Sequence, residues 1–286
     1  MESLMEMLKA KGLVTTCDFD PRQYAKLRVD ALNDAIGYRD KEDGYNCPIC
    51  KNKGYVARLV ENPDGTFSHS VADCKCADTR RSILRMQRSG LKNIIRDYTF
   101  DKFQTPEPWQ ETLKAAAMDY AKNPSGWFAL CGQSGCGKTH LCTAICRELL
   151  LEGREVVYML WRDEIGKIKQ AARMSEFDGE TVELRRILDK YKTAKVLYID
   201  DLFKTGKTAE NATQRPTAAD INYAFEILNY RYNNPELLTI LSTELTEDEL
   251  LDIDEAIGGR IYERAKAYSI GKDRGKNYRV RNTRRL

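Results

Sequence analysis

The chain has 286 residues, and its 46 Lys and Arg against 43 Asp and Glu leave a net charge of +3. That balance argues against a wholly basic nucleic-acid coat or an acidic tail protein, while 42% hydrophobic and 31% charged residues can fill a core. Nine cysteines against two histidines, no charged-then-apolar leader and no run of about 18–20 apolar residues predict a cytoplasmic, reducing setting without membrane attachment or a disulfide scaffold.

Residues 1–42 read as two short helices. Leu4 and Leu8 share a face in the first, and Tyr24, Leu27, Ala31 and Ala35 recur at helical spacing in the second. Asp20 is the expected N-cap, with Pro21 at the first helical position. Residues 43–92 form a polar block punctuated by Gly, Pro, Asn and Asp, with a hairpin turn expected at Pro63-Asp64-Gly65. Such a block is too small and polar to bury its own core. Cys47-Pro-Ile-Cys50 and Cys74-Lys-Cys76, with 23 residues between the pairs, offer four thiolates. They predict a closed tetrahedral Zn²⁺ site whose binding energy folds the module. His69 is a nearby substitute ligand, and a redox pair at Cys47 and Cys50 or an iron–sulfur cluster are the competing readings. A basic run, Arg80–Lys92, ends the block, and Ile94–Phe103 reads as a strand or extended connector.

From residue 93 to 286 apolar strands alternate with helical patterns. This predicts an α/β domain with a parallel sheet covered by helices on both faces. The strands are GWFALC, EVVYML, VLYID and LLTILST, and AYSIG near the C-terminus could add a last one. After the first lies Gly132-Gln133-Ser134-Gly135-Cys136-Gly137-Lys138-Thr139, which fits the phosphate-binding pattern G-x-x-x-x-G-K-[ST] at every fixed position. Its glycines let backbone N–H groups curl around phosphate oxygens at the positive end of the next helix. Lys138 is expected at the β- and γ-phosphates of ATP, and Thr139 on Mg²⁺. His140 closes the nucleotide-binding stretch, but reads as an ordinary helix residue.

Asp200 and Asp201 follow the buried run VLYI, at the sheet edge where ligands of open α/β sheets bind. Asp200 is expected to hold Mg²⁺, directly or through water, and Asp201 to orient or deprotonate the attacking water. Asp201 is one methylene shorter than Glu, which predicts slow hydrolysis. Ser242, Thr243 and Glu244 end the next strand, where a polar side chain could sense the γ-phosphate. Arg260 and Arg264 lie one helical turn apart and could reach a neighbouring subunit's γ-phosphate, or simply form a solvated basic face. Arg162, Lys169 and Arg173 fall together on a helical wheel beside Ile165, Ile168 and Ala172, with Trp161 at the helix start. Cation plus aromatic is a way to grip single-stranded DNA; a solvated helix is the competing reading. Residues 260–286 hold ten Lys and Arg against two acids, a local excess suited to phosphates. Cys131, Cys136, Cys142 and Cys146 read as small buried thiols, and Cys17 has no partner in sequence.

The phosphate loop, VLYIDDLF, EILNYRYN, TILSTELT and GGRIYERA occur in an order that resembles the DnaC/DnaI-type replicative helicase loaders, AAA+ ATPases related to the IstB transposition helpers. The cysteine module resembles the DnaI-type and phage loaders. By that resemblance Lys138, Thr139, Asp200 and Asp201 match the nucleotide site, Arg260 and Arg264 the arginine-finger segment, and Arg279 a second sensor arginine. Glu244 stands where many members carry a sensor Asn, and its carboxylate would repel phosphate unless protonated or turned away. The resemblance implies an ATPase, stimulated by DNA or helicase, that self-associates with ATP. It implies further that residues 1–42 bind the hexameric replicative helicase and that the helices over 162–192 touch single-stranded DNA. An IstB-like transposition helper, or a zinc-containing ATP-binding adaptor without productive hydrolysis, are the alternatives.

Overall fold

A computed structural model of the protein describes residues 20–86, 94–178, 182–204 and 215–283, and the chain divides into two units between Ala77 and Asp78. The expected first helix, Cys17 and most of the polar loop after Lys204 lie outside the described residues. No described helix is long and apolar enough to cross a membrane.

In the first unit, helix α1 (Pro21–Asp34) starts as the sequence predicts: the Asp20 carboxylate accepts the Arg22 N–H at 2.8 Å, satisfying one orphan donor of the first turn. Its buried row, however, is Ala25 and Val29. Tyr24 and Leu27, expected on the apolar stripe, are 53% and 62% exposed. The reason is the close approach of strand β1 (Tyr55–Glu61), which favours a seam of small side chains. One turn beyond Val29, the Asn33 amide accepts from the Ala57 N–H at 2.9 Å and donates to the Ala57 carbonyl at 3.0 Å, pairing with β1 as another strand would. A one-turn helix, α2 (Asp40–Asp43), precedes β1. Strand β2 (Phe67–Asp73) pairs antiparallel with β1 in the expected hairpin. Its turn is closed by Asn62 and Thr66, and Gly65 supplies the positive φ of 77°.

Helix α3 (Cys76–Met86) bridges the two units in sequence. The segment from Ile94, expected as strand or extended connector, instead makes a single helical turn, α4 (Ile94–Asp97), and then turns through Thr99 and Phe103. It buries Ile95, Phe100 and Phe103, whose spacing of five and three residues suits turns and not strand alternation.

The second unit is then built from α5 (Pro108–Lys122), β3 (Trp127–Gly132), α6 (Lys138–Leu151), β4 (Val156–Leu160), α7 (Trp161–Asp178), α8 (Val182–Lys192), β5 (Val196–Asp200), α9 (Ala218–Tyr232), β6 (Leu238–Ser242), α10 (Glu247–Ile253), α11 (Glu255–Arg264), β7 (Ala265–Ile270) and α12 (Tyr278–Thr283). Its five described strands are all parallel, in the order β4-β5-β6-β3-β7. Strands β3, β5 and β6 are buried along their whole length, as their unbroken apolar runs require of central parallel strands. The run AYSIG does form the last strand, and its mixed burial fits an edge. Because β5 and β6 lie between β3 and β4, the chain leaves β3 beside the carboxyl ends of β5 and β6. Such a switch in strand order opens a crevice for ligands.

Candidate functional site

The turn after β3 is shaped by backbone that tolerates no side chain. Gly132 has φ 96°, and a Cβ there would come within 2.0 Å of the Ile270 carbonyl oxygen; Gln133 N–H donates to that same oxygen at 2.9 Å. Gly135 accepts from the Tyr278 N–H at 3.0 Å, which anchors the C-terminal segment against the loop. Lys138 is buried, and its ammonium donates to the carbonyls of Gly132 and Gln133 at 2.9 and 2.8 Å. Ser134, Cys136 and Gly137 complete the loop, with Cys136 buried as an ordinary small thiol.

A cavity of about 300 Å³ opens over this loop, a size suited to a small-molecule ligand. Its walls are the loop itself, the Tyr98–Gln104 segment, Asp201, Lys204, Glu244 and the C-terminal pair Tyr278 and Arg279. His140 is more than a helix residue. Its ring stacks on Tyr98 at 4.5 Å, takes Phe103 edge-on, and its Nε2 is 2.8 Å from the Thr99 carbonyl. Burial pushes its pKa down, favouring the neutral ring whose Nε2–H donates to Thr99.

Three elements converge on Asp200. Its Oδ1 accepts from the Thr139 hydroxyl at 3.1 Å and from Ser242 at 2.5 Å, and its Oδ2 from the Tyr158 hydroxyl at 3.1 Å. A buried carboxylate is tolerable because these donors compensate its desolvation. Thr139 and Asp200, the expected Mg²⁺ pair, are thus in direct contact, and two oxygens so placed suit a hard cation. Ser242, expected as a phosphate sensor, instead binds Asp200 and accepts the Asp201 N–H at 3.0 Å. Thr243 is fully buried and donates to the Leu202 carbonyl.

The chain after β5 is strained: Asp201 and Phe203 have φ of 56° and 62°, a left-handed region that costs a non-glycine residue free energy. Phe203 is buried edge-on against Trp161. The turn folds Lys204 back, so its ammonium meets Asp201 at 2.9 Å and Glu244 at 3.0 Å. Burial raises the Asp201 pKa, and Lys204 opposes the rise. At Glu244 burial works in the same direction but is outweighed by hydrogen bonds from Ser134 and Lys204, which hold the group ionised. Neither Lys204 nor Tyr158 was recognisable from sequence, since each acts through residues distant in the chain.

Arg260 and Arg264 do not line the cavity. Arg260 lies over Phe225 and Tyr232 and donates to Asn229 at 3.1 Å. Arg264 shares the Tyr232 ring, at 4.7 Å from its centroid, and donates to the Tyr232 carbonyl. On the expected DNA-gripping helix, Trp161 is core, with 1% exposure, and offers no free face to a base. Lys169 is engaged with Asp220 at 2.7 Å and Thr217 at 3.1 Å. Arg162 and Arg173 alone of that basic set are exposed. The apolar stripe of α7 required a buried aromatic at its start, which decided Trp161.

In the first unit the sulfurs of Cys47, Cys50, Cys74 and Cys76 lie within 4.8 Å of one another, all buried. Cys47 and Cys74 are 3.8 Å apart, and Cys50 and Cys76 are 3.6 Å apart. Four ligands about 2.3 Å from a tetrahedral Zn²⁺ stand about 3.8 Å from each other, so the donor set fits zinc. The knuckle is shaped by positive φ at Lys51 and Asn52, while Asn52 accepts the Cys47 N–H and the Gly54 N–H donates to Cys50. His69 stands on the hairpin opposite Leu59 and is not part of the cluster.

Residues 70–284 match the family model described as IstB-like ATP binding protein. The chain belongs to this family. It is 33% identical over 271 residues to "Uncharacterized protein YqaM" of Bacillus subtilis (strain 168), an alignment that covers 79% of this chain and 82% of that one. It is 28% identical over 118 residues to "Replicative helicase loader DnaC" of Escherichia coli (strain K12), covering 40% of this chain and 46% of the loader. Among solved structures, "Crystal structure of the DnaC helicase loader" superposes with TM-score 0.51 at 19% identity, covering 62% of this chain and 99% of that one. The IstB-like protein therefore has the AAA+ ATP-binding fold and helicase loaders among its relatives.

Proposed function

We propose that this protein is an ATP-dependent loader that binds the hexameric replicative DNA helicase and helps to deposit it on single-stranded DNA. The observation that carries the reading is the cleft lined by Lys138, Thr139 and Asp201, with buried Asp200 bonded to Thr139, on a chain related to a replicative helicase loader. In this reading Lys138 exchanges its loop carbonyls for β- and γ-phosphate oxygens of ATP. Thr139 and Asp200 would hold Mg²⁺, which would supply positive charge beside the phosphates. Asp201 orients the attacking water, and its raised pKa suits a group that also accepts a proton. Arg279, fixed near the loop through Tyr278, reads the nucleotide from the C-terminal side. Arg260 and Arg264 act on a neighbouring copy, since neither reaches the cavity of its own chain. Residues 1–42 serve as the helicase-binding segment, residues 43–92 as the zinc-bearing module and basic linker, and 93–286 as the ATPase domain.

Native mass measurement after a pull-down in ATP tests this. The expected result is a hexameric helicase carrying several copies of this chain; capture of a transposase would favour the transposition-helper reading. In a loading assay Lys138→Ala should abolish helicase deposition through lost ATP binding, and Asp201→Asn should bind ATP without turnover. Full loading by both variants would refute an ATP-driven role.

A further inference from the structure

Two cations in the nucleotide cleft are not explained by the phosphate loop, the paired aspartates or the C-terminal arginine: Lys102, which pairs with Asp97 at 3.1 Å, and Lys204. Lys204 lies three residues beyond Asp201 and is preset by a turn with buried Leu202 and Phe203 and two left-handed residues. Its N–H closes the turn onto the Asp201 carbonyl at 2.9 Å. Its ammonium bridges Asp201 and Glu244, and Glu244 is itself hydrogen-bonded to Ser134 of the phosphate loop. Lys204 thus sits at the loop, facing the same cavity as Lys138 and Thr139. An ammonium has three donors; the two carboxylates use two, which leaves one for a further oxygen. A second consideration is charge. Asp201 and Glu244 both face the cavity, and two carboxylates there would repel a phosphoryl group if no cation lay between them.

We propose that Lys204 reads the γ-phosphate in this protein: clamped between Asp201 and Glu244, it gives its remaining donor to a γ-phosphoryl oxygen and so distinguishes ATP from ADP. Glu244 is then a positioning residue that aims Lys204, which reconciles a carboxylate at this place with an anionic ligand. ADP lacks the γ-phosphoryl oxygens and leaves Lys204 with its two carboxylates alone. The inference rests on ATP being the ligand of the loader reading, but does not depend on the helicase.

The test measures binding of a fluorescent non-hydrolysable ATP analogue and fluorescent ADP, each with Mg²⁺, to the full chain. Wild-type protein should prefer the ATP analogue. Lys204→Met should weaken it by about tenfold or more, the range for a lost hydrogen bond to a charged group, and change ADP by less than about twofold. ADP binding reports that the variant is folded. Lys204→Met combined with Glu244→Gln separates contact from screening: with direct contact the ATP preference stays lost, whereas with screening alone removing the Glu244 charge restores part of it. Three results overturn the inference: equal affinities in the wild type, an unchanged preference in Lys204→Met, or a preference restored in the double variant. Loss of the preference in Lys204→Met from a protein that engages no helicase would defeat the loader reading and leave this inference standing.

Discussion

Arg231 carries a positive charge through the centre of the second unit, and its replacement is the sharpest test of how that unit is held. The side chain is fully buried, and no carboxylate pairs with it among the described residues. Instead Nε donates to the Thr239 hydroxyl at 2.8 Å, one terminal nitrogen to the carbonyls of Tyr191, Lys192 and Ala194 at 2.8–3.0 Å, and the other to the Leu238 carbonyl at 2.6 Å. Three of these carbonyls lie at or just past the C-terminus of α8, where helix carbonyls have no partner of their own. Burial lowers the arginine pKa from 12.5 to about 10, so the guanidinium stays protonated at pH 7 at a cost of about 3 kcal/mol, taking about 1.4 kcal/mol per tenfold. Arg231→Met removes that cost but leaves five oxygens without a donor, at about 1–3 kcal/mol each. The net loss should be at least about 2 kcal/mol and up to about 12 kcal/mol, from a substantial part to all of an ordinary domain's stability. Urea unfolding followed by circular dichroism measures it. Arg231→Lys has three donors for five acceptors and should fall between. Thr239 lies near the start of β6 and Ser242 ends it, so nucleotide affinity of the folded variant should be unchanged at low temperature. A Met variant within about 1 kcal/mol of wild type would refute this account.

The cysteine cluster should hold about one zinc per chain, and Cys50→Ser or strong chelation should unfold the first unit while the second keeps its melting transition; a metal-free protein with an intact hairpin would exclude the site. For His140, the folded pKa lies below 6.5 because the buried imidazolium is disfavoured. The unfolded chain therefore takes up the proton first, and stability present above pH 6.5 is lost as pH falls toward the folded value. His140→Phe keeps an aromatic face and should flatten the dependence of melting temperature between pH 7.5 and 5.5; an unchanged slope would remove His140 as its source. Arg260→Ala and Arg264→Ala should lower ATP turnover only at concentrations where the chain self-associates, and an equal loss in dilute monomer would argue against action in trans.

What the sequence made legible follows from how locally each feature is determined. The Gly-rich loop could be read directly because the steric demands of Gly132 and Gly135 are met by residue type alone. Buried central strands were legible from VLYI and LTIL, and the four thiols from their spacing, because donor count and reach decide a metal site. The stripe of α1 was misplaced for the opposite reason. Tyr24 and Leu27 are larger than Ala25, but β1 approaches the face that carries Ala25, Val29 and Asn33, and that is the face that is buried. Trp161 leaves two readings open in sequence, a DNA platform or a core-facing helix, because an aromatic beside cations is ambiguous until the sheet shows which side of α7 is covered.

The acidic pair shows why the finer design of the site could not be read. The sequence places Asp200 at a strand end, but its hydrogen-bond partners come from β4, α6 and β6, at distances along the chain of 42, 61 and 42 residues. Strand register alone brings Ser242 beside Asp200, and the left-handed turn at Asp201 alone returns Lys204 to Glu244. Motif positions record which atoms meet a phosphate; the long-range pairing decides which side chains hold those atoms in place. Ser242 illustrates the difference, for its residue type suits a phosphate contact while its observed partners are both aspartates. A substitution such as Ser242→Ala should consequently be felt as a misaligned Asp200 and Asp201, with turnover falling more than nucleotide affinity.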